Sequence, residues 1–204
     1  MKVFEEEREL TLMLVVDVSR SSQYGSHEQF KMEILTEISA TLAFSALQNN
    51  DKVGLILFTD QIELYIPPKK GKSHILRIIR ELIEFTPNNS HTNISEALKF
   101  MANVQKKRAI VFVLSDFMDT DYASNLKIAA KKHDLTGIRI FDKHEVELPN
   151  LGLVPMIDQE TGKYQLVHTG SKTLQRNHRN YTSRRELYFA VSYTHLRAHE
   201  TSID

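Results

Sequence analysis

The chain has 204 residues, 41% hydrophobic and 25% charged, which suits one domain, or one domain with an appendage, around an ordinary core. Its 26 Lys and Arg balance its 26 Asp and Glu, so no nucleic-acid surface built on overall basicity is expected, and the lack of cysteine excludes disulfides and thiolate metal sites. No apolar run approaches the roughly 20 residues of a membrane helix, and the acidic start MKVFEEERELT lacks the cationic start and apolar centre of a signal peptide, so a cytoplasmic setting is expected.

Glu5, Glu6 and Glu7 read as a solvated approach to the first strand. Leu12 to Val16 (LMLVV) is apolar at every position, as a central strand covered on both faces would be. It stops at Asp17, and Ser19 and Ser21 follow at alternate positions. Ser26 to Gln48 is expected as a helix, with Phe30, Ile34, Leu35, Ile38, Leu42 and Leu47 near a 3.6 period. Asn49, Asn50 and Asp51 close it. Lys52 to Phe58 (KVGLILF) is a second buried strand, and Thr59-Asp60-Gln61 a tight connection. Ile62, Leu64 and Ile66 alternate with polar residues, which predicts an antiparallel edge strand that Pro67 and Pro68 end.

Ser73 is expected to cap a helix running to Phe85, with Ile75, Leu76, Ile79, Leu82 and Ile83 on its buried side. Thr86 to His91 is a loop. Asn93 and Glu96 form a capping pair for a helix to about Val104. Ala109 to Leu114 is a third apolar strand, and it too ends at a hydroxyl and a carboxylate, Ser115 and Asp116. A short helix over Tyr122 to Lys132 and a strand over Thr136 to Phe141 follow. The alternating order predicts an α/β fold: a mostly parallel sheet with one antiparallel edge strand and helices on both faces. Beyond Pro149 the pattern weakens to a hairpin, Val154 to Asp158 and Lys163 to Val167 around Glu160-Thr161-Gly162, and the start of a helix over Ser171 to Ala190.

Val191 to Thr201 (VSYTHLRAHET) resembles the in-frame translation of a transposase-type sequencing adapter, so the domain is expected over 1–190 and 191–204 is set aside as read-through. That removes an apparent zinc pair, His195 and His199 with Glu200. The metalloprotease pattern also places its Glu directly after the first His.

Three loops offer hard oxygen ligands: Asp17-Val18-Ser19-Arg20-Ser21, Thr92, and Asp116. In an open α/β sheet, ligands sit beyond the carboxyl ends of the strands. Alternation at 17, 19 and 21 lets one loop aim three side chains at one point. Mg²⁺ favours oxygen ligands and keeps some waters. Three neutral hydroxyls with two acids would leave such an ion electrophilic, open to an acidic group from a partner. The plainer reading is a set of helix caps and polar turn residues. Arg20 is placed to touch a partner's carboxylate or simply to be exposed. His133-Asp134 reads as a turn, and Pro67 to Lys72 (PPKKGK) lacks the spacing of a phosphate loop.

D-x-S-x-S after an apolar strand, a later Thr and a later Asp after another apolar strand resemble the metal-ion-dependent adhesion site of von Willebrand factor A domains. The resemblance implies that Ser19, Ser21 and Thr92 bind a divalent cation, Mg²⁺ or Mn²⁺, directly, and that Asp17 and Asp116 support them through water. VFEEERELTLMLVVDVSRS, NNDKVGLILFTDQIELYIPPKKGKSHIL, LSDF, KKHDL and IDQETG narrow it, over about Val3 to Ala190, to the bacterial family called domain of unknown function fifty-eight. Such proteins are typically encoded beside MoxR-type AAA+ ATPases. Members usually carry an upstream β-rich segment, and some have membrane helices before it, so the resemblance implies a partial domain of a protein open to membrane association. The expected function is therefore a non-enzymatic, metal-dependent protein-interaction module whose partner, a MoxR-type ATPase or its client, supplies an acidic residue. A Mg²⁺-dependent hydrolase or phosphotransferase using Asp17 or Asp116 is the competing enzyme reading; the motif loops offer it no histidine except His91 and no lysine. A scaffold with a vestigial site is the third.

Overall fold

A computed structural model describes residues 9–19, 28–89, 91–141, 148–157 and 164–197. Five helices and seven strands occur among them, in the order β1 Thr11–Asp17, α1 Glu28–Gln48, β2 Lys52–Phe58, β3 Ile62–Lys69, α2 Lys72–Glu84, α3 Ile94–Val104, β4 Ile110–Ser115, α4 Ala123–Ala130, β5 Asp134–Arg139, β6 Leu153–Ile157, β7 Tyr164–His168 and α5 Lys172–Arg197. The chain divides into two compact units, Met1–Ile140 with Ser192–Asp204, and Phe141–Val191.

The first unit is built on a sheet of order β3-β2-β1-β4-β5. β1 lies parallel to β2 and β4, and β4 parallel to β5, while β3 runs antiparallel on the edge. This is the expected α/β architecture, and its cause is in the central strands. Met13, Leu14, Val15 and Val16 are all 0% exposed, so both faces of β1 are covered. At about 25 cal/mol per Å² of apolar surface removed from water, such strands dominate the core. Register aligns their ends: Asp17 pairs with Phe58, Val16 with Leu114, and Ser115 with Arg139. The carboxyl ends of β1, β2, β4 and β5 thus finish at one level, where the β1–α1 connection leaves the sheet.

Several elements differ from expectation. β3 continues through Pro67 and Pro68 to Lys69. Its register shifts between Val53 and Leu55, leaving an extra residue on β3, and an edge strand tolerates proline at such a bulge. Ser73 does not cap α2. The helix starts at Lys72 after Gly71, whose φ of 104° suits glycine, and Ile75 N donates to the Gly71 carbonyl at 3.2 Å. On α2 the buried residues are Ile75, Ile78 and Leu82, while Leu76 and Ile83 are exposed. On α1 the most buried stripe is Lys31, Leu35, Ser39, Ala43 and Ala46, with Ile34, Ile38 and Leu42 packed beside it. β5 sits two residues earlier than Thr136–Phe141, because Asp134 already pairs with Ile110.

β6 and β7 form the expected hairpin, with Pro155 opposite Leu166. Its turn at Glu160–Gly162, Glu5 to Glu7, Arg20, Ser21 and the start of the first helix at Ser26 lie outside the described residues. α5 runs past Ala190 to Arg197. Within the first unit, the Tyr193 ring stands edge-on to Phe117 at 5.7 Å and lies against Gly137, where any Cβ would collide with it. No described helix is long and apolar enough to cross a membrane.

Candidate metal centre

Asp17 is the last residue of β1 and is 0% exposed. Its two oxygens are held differently. Oδ1 accepts from Ser19 N at 3.0 Å, which turns the chain back after the strand. Oδ2 accepts from Ser115 Oγ at 2.6 Å, a bond between residues 98 apart in sequence. Ser115 Oγ in turn accepts from Phe117 N at 3.1 Å. One serine at the end of β4 therefore fixes both the β1 carboxylate and the chain that follows Asp116.

Ser19 is buried, and its Oγ accepts from Thr92 Oγ1 at 2.7 Å. Thr92 is placed by the residue after it: Asn93 N donates to Thr59 O at 2.9 Å, and Asn93 Oδ1 accepts from Glu96 N at 2.9 Å to cap α3. The capping bond expected between Asn93 and Glu96 is thus present. Asp116, 5% exposed, accepts from Met118 N at 3.0 Å through Oδ1. Phe117, next to it, has φ 54°, a left-handed conformation that is costly for a bulky side chain. Its ring is nonetheless 1% exposed and packs edge-on to Tyr122 at 5.7 Å.

Asp17, Ser19 and Thr92 thus form one hydrogen-bonded chain, and Asp116 is close enough to act on Asp17 electrostatically. Burial, and then the Asp116 charge, push the Asp17 carboxyl up to about 7, against the bonds from Ser115 and Ser19 that favour its ionised form. Two neighbouring buried acids repel one another, so a cation between them would be stabilised, and this is the physical test of whether one fits; Arg139, whose Nε donates to the Asp116 carbonyl at 3.2 Å, already brings one positive charge to the Asp116 side. The donors are hydroxyl and carboxylate oxygens, which match a hard divalent ion that keeps waters. Among the described residues no three His, Cys, Asp or Glu side chains gather, so a nitrogen- or carboxylate-rich cage is not what these residues build. Ser21, the fifth expected ligand, lies outside the described residues.

Sequence reasoning left out two participants. Ser115 was legible as a hydroxyl beside Asp116 at a strand end, but its partner Asp17 was not. Thr59, 0% exposed, donates Oγ1 to Glu63 Oε1 at 2.9 Å while its carbonyl receives Asn93 N. Nothing in a tight turn sequence announces that second task. Among the residues read as bland, His133 is 2% exposed in the turn before β5, as expected of a turn residue by position and unexpected by burial.

A mostly parallel sheet of this order, with one antiparallel edge strand, is the fold of von Willebrand A-like domains. The chain belongs to the family described as protein of unknown function DUF58, which matches residues 1–187. Uncharacterized proteins of Mycobacterium tuberculosis and Mycobacterium bovis are 24% identical to it over 159 residues, 76% of this chain and 50% of theirs. The chain therefore spans about half the length of those relatives. An aerotolerance-related membrane protein from Bacteroides fragilis superposes with a TM-score of 0.58 at 15% identity, over 91% of this chain and 99% of that one. BatB from Bacteroides thetaiotaomicron gives 0.54 at 14% identity, over 93% and 99%. Proximal thread matrix protein 1 of the mussel byssus, in a form with a zinc-occupied MIDAS motif, gives 0.51 at 18% identity, over 66% and 38%. At these identities the likeness establishes the fold.

Proposed function

We propose that the chain is a protein-interaction module. In this reading Ser19, Ser21 and Thr92 hold a divalent cation, Mg²⁺ or Mn²⁺, with Asp17 and Asp116 in support. A cation there would offer an open position to a carboxylate. The partner is a protein that supplies an acidic residue, a MoxR-type AAA+ ATPase or that ATPase's client. The observation that supports this reading is the hydrogen-bonded run Ser115–Asp17–Ser19–Thr92, with Asp116 near Asp17, which links oxygen-bearing side chains from three loops. The zinc-occupied motif of the mussel protein, on a similar fold, supports it.

This chain's residues would do three things. Ser115 and Ser19 N hold the Asp17 carboxylate, the Asn93 N–Thr59 O bond holds Thr92 in place, and Thr92 Oγ1 donates to Ser19 Oγ. None of these steps requires bond chemistry on the partner. Asp17, pushed up to about 7, is the one feature that favours an acid–base enzyme instead. It is, however, 0% exposed, and both its oxygens already accept hydrogen bonds.

The test is capture of the MoxR-type ATPase encoded in the same genome by immobilised chain, with and without EDTA. Loss of capture in EDTA and in Ser19→Ala is expected. Equal capture by wild type and Ser19→Ala would end the metal-dependent form. Phosphatase or nuclease activity that vanishes in Asp17→Ala would move the chain to the enzyme class.

A further inference from the structure

Thr92 and Asp116 lie on separate loops, and a second set of bonds ties those loops together. Asp119, three residues after Asp116, accepts Ile94 N through Oδ2 at 2.8 Å, two residues after Thr92. Its Oδ1 accepts from Thr120 N at 2.6 Å, which fixes the carboxylate within its own loop. A second strut lies beside the first. Ser95 Oγ donates to Asp121 O at 2.9 Å, and Asn125 Nδ2 donates to Ser95 Oγ at 3.0 Å. The loop so braced is under backbone strain at both ends, with φ 54° at Phe117 and φ 68° at Asp121. Strained conformations persist where surrounding contacts over-determine them.

We propose that Asp119 is a positioning residue for the candidate metal centre: its bond to Ile94 N sets the Thr92 hydroxyl against Asp116. The role rests on the metal reading given above. Without the bond, α3 keeps its own cap at Asn93 and the β4–α4 loop keeps its Asp116–Met118 turn, while the Ser95 strut still links the two. Partners of this kind, outside the ligand set, typically change metal affinity by about 10–100-fold when removed.

The experiment titrates Mg²⁺ and Mn²⁺ into wild type, Asp119→Ala, Asp119→Asn and Asn93→Ala by calorimetry, and follows amide exchange of the same proteins in chelator. Asp119→Ala is expected to weaken binding by about tenfold or more. Asp119→Asn, which keeps an acceptor for Ile94 N, recovers most of that loss. Asn93→Ala removes the Oδ1 cap of the same helix but keeps both the Asn93 N–Thr59 O bond that places Thr92 and the Asp119 tether, so it separates helix stability from register. In chelator, Asp119→Ala speeds exchange at both Ile94 and Met118, whereas Asn93→Ala speeds it at Glu96 alone. The proposal is overturned by an Asp119→Ala protein with wild-type affinity, by an Asn93→Ala loss as large as that of Asp119→Ala, or by unchanged Met118 exchange. A wild type that takes up neither ion overturns the metal reading and this role with it; the exchange data in chelator then report whether the tether itself exists.

Discussion

The central sheet and the β6–β7 hairpin use similar residues to opposite ends. Leu14 in β1 is 0% exposed, whereas Leu153, Tyr164 and Leu166 in the hairpin are 67%, 78% and 72% exposed. In the antiparallel register Leu153 faces His168 and Pro155 faces Leu166, so these exposed side chains share one face of the ribbon. In the sheet the pattern is reversed: the polar Asp17, Ser19 and Ser115 are the buried groups, and each has hydrogen-bond partners. Apolar residues stabilise only where a second layer covers them, and two strands alone provide none. Polar residues tolerate burial only where their bonds are complete. The first region therefore carries both the stability and the site.

The sharpest way to break that comparison is one truncation in each region. Leu14→Ala leaves a cavity between fully covered layers and is expected to cost about 2–5 kcal/mol. Leu166→Ala removes a side chain that is 72% exposed and is expected to stay within about 0.5 kcal/mol. Urea unfolding followed by circular dichroism measures both. A large loss for Leu166→Ala would show that the hairpin face is covered in solution.

The next effect isolates the polar half of the contrast. A divalent ion at about 100 times its dissociation constant stabilises the folded chain by about 2.7 kcal/mol. Asp17→Asn removes one of two neighbouring buried charges. It should leave the protein in EDTA at least as stable as wild type and abolish the gain on adding Mg²⁺. Thermal melts with and without the ion read both changes. A full Mg²⁺ response in Asp17→Asn would take Asp17 out of the site.

Why some of this was readable from residues alone follows from the range of each interaction. A run such as LMLVV must be covered on both sides, and the succession of strands and helices, the antiparallel edge and the polar strand ends at Asp17 and Ser115 follow from local pattern. Asn93 caps α3 as its spacing implies because a cap is a bond within a few residues. What could not be read depends on distant partners. Ser115 to Asp17 spans 98 residues and Asp119 to Ile94 spans 25. Pro67 and Pro68 stayed in a strand because β3 has a free edge, a property of the sheet order and not of the dipeptide. Ser73 lost the cap to Gly71 because the left-handed turn there had already set the helix start.

His133 gives a smaller effect with a definite sign. It is 2% exposed, and neither ring nitrogen has a hydrogen-bond partner among the described residues. Burial, with Lys132 adding to it, holds its pKa below the ordinary 6.5. The unfolded chain then binds the proton more readily, so stability is full above pH 6.5 and falls as pH drops below it, at no more than about 1.4 kcal/mol per pH unit. His133→Phe should flatten that part of the stability profile, measured by urea unfolding at half-unit steps from pH 5 to 8.

The smallest effect is expected at Glu9, where the charges are exposed. Glu9 bridges Lys70 at 2.7 Å and Lys52 at 3.0 Å, at the start of the central strands. Bonds from Lys70 and then Lys52 lower its carboxyl to about 2 from 4.5. A depressed acid contributes stability above its unfolded pKa and loses it as pH falls from 4.5 towards 2. Both partners stand in solvent, where salt screens the attraction and holding long side chains costs entropy. Glu9→Gln should therefore leave the melting temperature unchanged in 0.5 M NaCl, a concentration on the order of which the Debye length shrinks to a few ångströms. Any difference should appear only in low salt, and only above pH 4.5. A loss that persists in high salt would mean that Glu9 orders the entry to β1 through its bonds, and that the sheet's stability extends to its charged rim.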